Sequence, residues 1–258
     1  MEVQPALQHV AIDGLRFAKI TQEGLIALVL RAAGDGRGGW IVTANTDYLH
    51  RYVTDPSMPE LLEAADVVVA DGVPLLWSAA ISGSPLPERV AGSDLVHRLA
   101  GAAAGAGLSL YLLGGAPGAA EGAARRLRAD FPSLRIAGHA SPRVTDPPTP
   151  QEIATIERQL AACSPGIVYV ALGSPKQDRL IVALRERMPG VWWIGVGVSL
   201  SFLAGDIPRA PRWMQRVGLE WLHRMLQEPG RLWRRYLVAD LPFAARLLWR
   251  STLARFRK

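Results

Sequence analysis

A carboxylate at the end of a buried strand, just before a glycine, is well placed to move a proton, and Asp71 holds that position. Residues 67–69 are a β-branched run, Ala70-Asp71-Gly72 stops it, and Pro74 opens an apolar helical segment. Ligands of open parallel sheets bind outside the carboxyl ends of the strands, so Asp71 is the candidate for the chemistry. An Asp-Gly pair also makes a tight turn without any chemical role. Thr43 and Asn45 stand at a neighbouring strand end, where they are either pocket groups or a helix cap. Gly114-Gly115-Ala116-Pro117-Gly118 leads from a strand into a helix. Its exposed N–H groups and the helix N-terminus would suit a diphosphate, although the spacing matches neither GxGxxG nor GxxxxGK[ST], and a purely structural turn fits equally. The chain has no Asp-x-Asp pair, and His9, His50, His97, His139 and His223 lack ligand spacing, so no metal site is expected.

These groups need strands and helices in alternation to hold them, and the chain supplies that pattern. Thr21 can cap a helix reaching about residue 33, residues 40–44 read as a buried strand, and Asn45-Thr46-Asp47 begins a helix. A short helix over 59–65 precedes the Asp71 strand, Ser93 can cap a helix over 94–104, and 108–113 is the next strand. A helix over 119–130 and a strand over 135–140 follow. Thr149-Pro150-Gln151-Glu152 is a capping box for a helix to about residue 162. Residues 167–172 form an apolar strand that GSPKQD carries into a helix over 177–188, and 191–196 is the last obvious strand. Strands apolar on both faces, alternating with helices, imply an α/β fold with a Rossmann-like, largely parallel sheet and helices on both sides. The alternation fades after Gly205. We therefore expect an α/β catalytic domain over 1–204 and a helical, basic appendage over 205–258.

Charge marks the same division. Residues 205–258 carry twelve Lys/Arg and four Asp/Glu, a balance of +8 against +6 for the whole chain, which leaves residues 1–204 at −2. The single Cys163 forbids an internal disulfide, and the N-terminus shows no secretory signal, so a reducing cytoplasm is expected. The uncharged run 99–120 is long enough to span a bilayer, but its glycines and Pro117 break it into a helix end, a turn, a strand and a loop, so no transmembrane helix is expected.

TANTDYL (43–49), ADGVPLLW (70–77), LPERVAGSDL (86–95), YLLGGAPG (111–118), LGSPKQD (172–178) and RAPRWMQRVGLEWLHRMLQEPGRLWRRYL (209–237) resemble the WecG/TagA/CpsF glycosyltransferase family. The resemblance runs from about residue 11 to 237. It implies a hexosyltransferase of bacterial cell-surface polymer synthesis. Such an enzyme moves N-acetylmannosamine or its uronic acid, with inversion, from a UDP donor to polyprenyl-diphosphate-linked N-acetylglucosamine; some members transfer other hexoses for exopolysaccharide.

In that reading Asp71 is the general base, and Thr43 and Asn45 share its pocket. Arg89 holds a phosphate or the acceptor diphosphate, for which a planar guanidinium fork is suited; otherwise it is a solvated loop charge. Gln177 is a pocket residue with Lys176 as a phosphate partner, against the capping box that Ser174-Pro175-Lys176-Gln177 spells. Metal-independent chemistry and no cofactor are implied, with Arg, Lys and backbone N–H groups stabilising departing UDP. Gly195 and Gly197 belong to the Gly-x-Gly of the last strand. Relatives commonly carry an aromatic-Asp pair after it; here Ser201 stands at the Asp position.

In the tail, Arg209, Arg212, Arg216, Arg224, Arg231, Arg234 and Arg235 are interleaved with Trp213, Trp221, Trp233 and Tyr236. Trp213-Val217-Trp221 and Arg212-Arg216 repeat every four residues, which would stack like with like on a helix face. Such a segment can lie on an anionic bilayer; its rivals are nucleic acid and an ordinary helical cap. The resemblance favours peripheral binding at the cytoplasmic face of the cell membrane without nucleic acid, with Arg212, Arg224 and Arg231 meeting the diphosphate. Residues 238–258 read as a further interfacial helix. A homo-oligomer stays open.

Overall fold

The structure, a computed structural model, describes residues 7–256. It opens with an antiparallel hairpin, β1 (His9–Ile12) and β2 (Leu15–Ala18), followed by α1 (Gln22–Gly34), β3 (Gly39–Ala44), α2 (Thr46–Thr54), α3 (Ser57–Glu63), β4 (Val67–Ala70) and α4 (Val73–Ile81). Next come α5 (Gly92–Gly105), β5 (Ser109–Gly114), α6 (Ala119–Asp130), β6 (Arg135–Ala140), α7 (Pro150–Cys163), β7 (Ile167–Ala171), α8 (Lys176–Arg185) and β8 (Trp192–Gly195). The chain ends in α9 (Ser199–Ala204), α10 (Arg212–Arg216), α11 (Glu220–Gln227), α12 (Pro229–Trp233), a π-helical stretch Arg234–Asp240 and α13 (Leu241–Arg255).

Six strands form one parallel sheet in the order β4-β3-β8-β7-β5-β6. The α/β, Rossmann-like reading holds. Because side chains alternate along a strand, each strand feeds two cores. Trp40, Val42, Val68, Val170 and Trp193 pack under α2, α3, α4, α7, α8 and α13, whereas Ile41, Val67, Val69, Tyr169 and Ile194 pack under α1, α5, α6 and α9. The chain winds outward from β3 to β4 and, on the other side, from β5 to β6; β7 and β8 then fill the middle. The strand order thus reverses at the centre of the sheet, which opens a crevice at the carboxyl ends of β3, β8 and β7.

Several local expectations are met. Thr21 accepts a hydrogen bond from Gly24 N at the start of α1, and the Thr149 capping box closes in both directions. Three are corrected. Ser93 does not cap α5, which starts earlier at Gly92 behind Ala91 with no side-chain cap. Ser174 does not cap α8 either; Gln177 Oε1 accepts from Gly173 N instead, at 3.2 Å. The four-residue repeat Trp213-Val217-Trp221 does not share a helix face, because the chain turns between α10 and α11 with Gly218 at φ +76°. A Cβ there would come within 2.8 Å of Val73 Cγ2, so only glycine allows the turn to sit against α4.

Within 205–258, α13 is seated on the main body. Phe243 and Leu247 are core residues, Phe243 stacks on His50 with ring centroids 4.8 Å apart, and the Ser78 and Ser251 hydroxyls meet at 2.8 Å. Among the described residues no helix is long and apolar enough to cross a membrane.

Candidate active site

The crevice is a cavity of about 980 Å³ roofed by α11 and the residues beyond it. Asp71 lies in its floor because the β3–β4 ladder runs on one residue past β4, with Asp71 N donating to Ala44 O at 2.9 Å. Gly92 N donates to Asp71 Oδ2 at 3.1 Å. A Cβ on Gly92 would come within 2.9 Å of Thr43 Oγ1 and 3.7 Å of Asp71 Oδ2, so this glycine brings the Thr43 hydroxyl and the carboxylate to one point. Burial raises the Asp71 pKa to about 6. The Gly92 hydrogen bond and the Arg89 charge oppose that rise, and Glu220 and Asp94 add to it. Asp71 therefore titrates closer to neutrality than a free carboxylate does.

At the end of β3, Asn45 Oδ1 accepts from Tyr48 N at 3.0 Å, so the helix-cap reading of Asn45 holds while the residue also lines the cavity. Gln177 is buried, its amide pressed on Gly195, where a Cβ would lie 2.5 Å from Nε2. Beside it Asp178 is buried, and burial raises its pKa to about 6, offset in part by the adjacent Ser174 and Tyr48 hydroxyls and by Arg51. Tyr48, Ser174 and Asp178 thus form one buried polar cluster in the cavity wall.

The roof carries the charge. Glu220 Oε2 lies 3.7 Å from Arg89 Nη2, and Glu220 Oε1 accepts from Arg209 Nε at 3.0 Å. Arg209 in turn forks onto Asp94 at 2.5 and 3.1 Å. Arg224 is buried, ion-paired with Glu228 at 2.9 Å and placed over the Phe202 ring, yet among the described residues its Nε and Nη1 lack partners. A buried guanidinium with two free donors is an anion-binding group. Farther along, Arg235 pairs with Asp47 at 2.7 Å and approaches Asp240 at 3.8 Å. Burial and the Asp47 charge raise the Asp240 pKa to about 7.

Of the residues singled out in the sequence, Thr43, Asn45, Asp71, Arg89, Gly115, Gln177, Gly195, Gly197 and Arg224 line this one cavity. Others fall outside it. Lys176 Nζ donates to Val144 O at 3.0 Å, and Arg212 is exposed on α10. Gly118 at φ +84° begins α6, and Gly114 passes the β7 backbone so closely that a Cβ would meet Ala171 O at 2.8 Å. The Arg231 side chain lies outside the described residues. Ser201 lines the cavity where the resemblance leads one to expect an Asp. Sequence reasoning did not single out Tyr48, Arg51, Asp178 and Glu220, which also line the cavity, and it took Arg235 only as one of the tail's arginines. Glu220 and Asp178 lay inside quoted motifs, and only their acidity in a basic or capping context could have drawn notice.

Residues 10–257 match the family model described as "Glycosyl transferase WecG/TagA/CpsF family". Similar proteins include an N-acetylglucosaminyldiphosphoundecaprenol N-acetyl-beta-D-mannosaminyltransferase of Bacillus spizizenii. It is 33% identical over 201 residues, which cover 78% of this chain and 76% of the relative. A protein of the same description from Bacillus subtilis is 29% identical over 200 residues, covering 78% and 75%.

Proposed function

Because the chain belongs to the glycosyl transferase WecG/TagA/CpsF family, we infer that it is an inverting hexosyltransferase moving an N-acetylmannosamine-type sugar from a UDP donor to polyprenyl-diphosphate-linked N-acetylglucosamine. The observation that carries this reading is the position of Asp71 at a strand end, in the floor of a cavity that Arg89 and Arg224 also line. The acceptor hydroxyl attacks the anomeric carbon while Asp71 takes its proton. The bond to the UDP oxygen breaks on the opposite face, and that oxygen keeps the electron pair. Arg224, Arg89 and the N–H groups around Gly115 and Gly197 supply the charge and donors for the diphosphates. Relatives with this printed activity favour the mannosamine-type sugar and the lipid-linked acceptor.

A second reading keeps this mechanism with UDP-glucose or another hexose as donor in exopolysaccharide synthesis; Ser201, at the position of the expected Asp, changes a contact in the cavity that receives the donor. UDP release from a panel of UDP-sugars, with a short-chain polyprenyl-diphosphate N-acetylglucosamine acceptor, decides between them. Release with every donor at the no-acceptor background would refute the transferase reading and leave a nucleotide-binding adaptor.

The reaction belongs, in this reading, at the cytoplasmic face of the membrane; the exposed Trp213, Trp249 and Phe256 beside the arginines of the tail support contact with a bilayer. Deleting 205–258 would strip Phe243 and Leu247 from the core, so the test is Trp249→Glu with Phe256→Glu in the full chain. These substitutions are expected to reduce flotation with anionic liposomes. Unchanged flotation would remove this face from the membrane contact.

A further inference from the structure

The roof brings a carboxylate as well as arginines into the cavity. Glu220, first residue of α11, faces Arg89 at 3.7 Å on one side and Arg209 at 3.0 Å on the other. Its two ion pairs differ in rigidity. Arg209 is anchored by a two-point fork onto Asp94, whereas Arg89 is touched only at the longer distance, and both Arg89 and Glu220 are mostly buried.

The charged groups acting on Asp71 are Arg89 in the segment before α5, Asp94 on α5 and Glu220 on α11. Asp94 is occupied by Arg209. Removing Glu220 would leave the Asp71 carboxylate as the nearby anion open to Arg89.

We propose that Glu220 is a positioning residue for transfer: fixed from behind by Arg209 and Asp94, it holds the Arg89 guanidinium on the phosphate side of the cavity and off the Asp71 carboxylate. This proposal rests on the roles given above to Arg89 and Asp71. Its physical content is a competition between two carboxylates for one guanidinium. If Arg89 swung onto Asp71 it would neutralise the base and occupy the phosphate site together. The anion on the appendage therefore keeps base and phosphate holder apart. It also gives α11 an effect on the reaction without touching either substrate.

The experiment compares wild type, Glu220→Gln, Glu220→Asp, Arg89→Gln and Glu220→Gln/Arg89→Gln, with pH profiles of kcat/KM and acceptor KM as readouts and thermal melts as the check on folding. Glu220→Gln, nearly isosteric, is expected to move the acidic limb down by about one pH unit and to raise acceptor KM about tenfold, because pairing Arg89 with Asp71 couples both by the same free energy. Glu220→Asp should recover most of each change. In the Arg89→Gln background the Glu220→Gln substitution should leave acceptor KM unchanged and move the acidic limb by less, because only the direct charge effect of Glu220 on Asp71 remains. The proposal is overturned if Glu220→Gln leaves both readouts at wild-type values, or if its effects persist undiminished without Arg89. A wild-type profile lacking an acidic limb near pH 6 would instead sink the base assignment, and the KM cycle would still decide the role of Glu220.

Discussion

Replacing Asp71 by Asn removes a charge that the fold holds at a cost, so the variant should lose activity and gain stability together. Asn keeps the shape and can still accept the Gly92 N–H bond, leaving the proton-accepting charge as the main difference. The Asp71 pKa is raised from 3.8 to about 6, so the native state binds this proton more tightly than the unfolded chain does. Its contribution to stability is therefore greatest below the unfolded value and is lost as pH rises through the folded one. The wild type carries roughly 1.5 kcal/mol of penalty at pH 5 and roughly 3 kcal/mol at pH 7.5, as upper bounds. Asp71→Asn should recover it. At about 2–4 °C per kcal/mol, the gain in Tm should roughly double between those two pH values. Asp178 and Asp240, whose pKa values are also raised, titrate in the same range, so the variant-minus-wild-type difference is the quantity to plot. Turnover should fall by about 10³-fold, in the range of a lost general base. A pH-independent Tm difference would refute the buried-charge argument. Turnover above a tenth of wild type would refute the base.

Gly195→Ala puts a methyl group 2.5 Å from Gln177 Nε2, so kcat/KM should fall about tenfold while stability drops by about 1–3 kcal/mol; an unchanged kcat/KM would take Gln177 out of the reaction. Leu247→Ala should cost about 2–4 kcal/mol in denaturant unfolding, since that side chain packs in the core from α13. A loss below about 1 kcal/mol would mean that α13 is not seated on the body. EDTA should leave transfer intact, because the sequence offers no Asp-x-Asp pair to carry a metal-bound diphosphate. A tenfold loss restored by Mg²⁺ or Mn²⁺ would refute that.

The strand-helix alternation was legible because fully buried strands read as continuous apolar runs, and Asp71-Gly72 marked a strand end by its break in that run. Thr149-Glu152 and Thr21 gave helix starts because capping is local chemistry between residues three apart. Ser93 and Ser174 carried the same residue types and capped nothing, since α5 already starts at Gly92, which packs against Thr43, and α8 starts after Pro175, with Gly173 at φ +78°. The four-residue repeat in the tail failed for a similar reason: Gly218 turns the chain where it meets Val73, a contact across almost 150 residues. The sequence alone determined the layered α/β sheet, the basic tail and a carboxylate at one strand end, all of which follow from short-range periodicity and composition. Only the tertiary structure decided that the tail brings Glu220 and Arg224 into the cavity that holds that carboxylate, that Lys176 turns away, and that α13 belongs to the core. Those facts depend on which distant surfaces exclude water from each other, and no local pattern of residues encodes that.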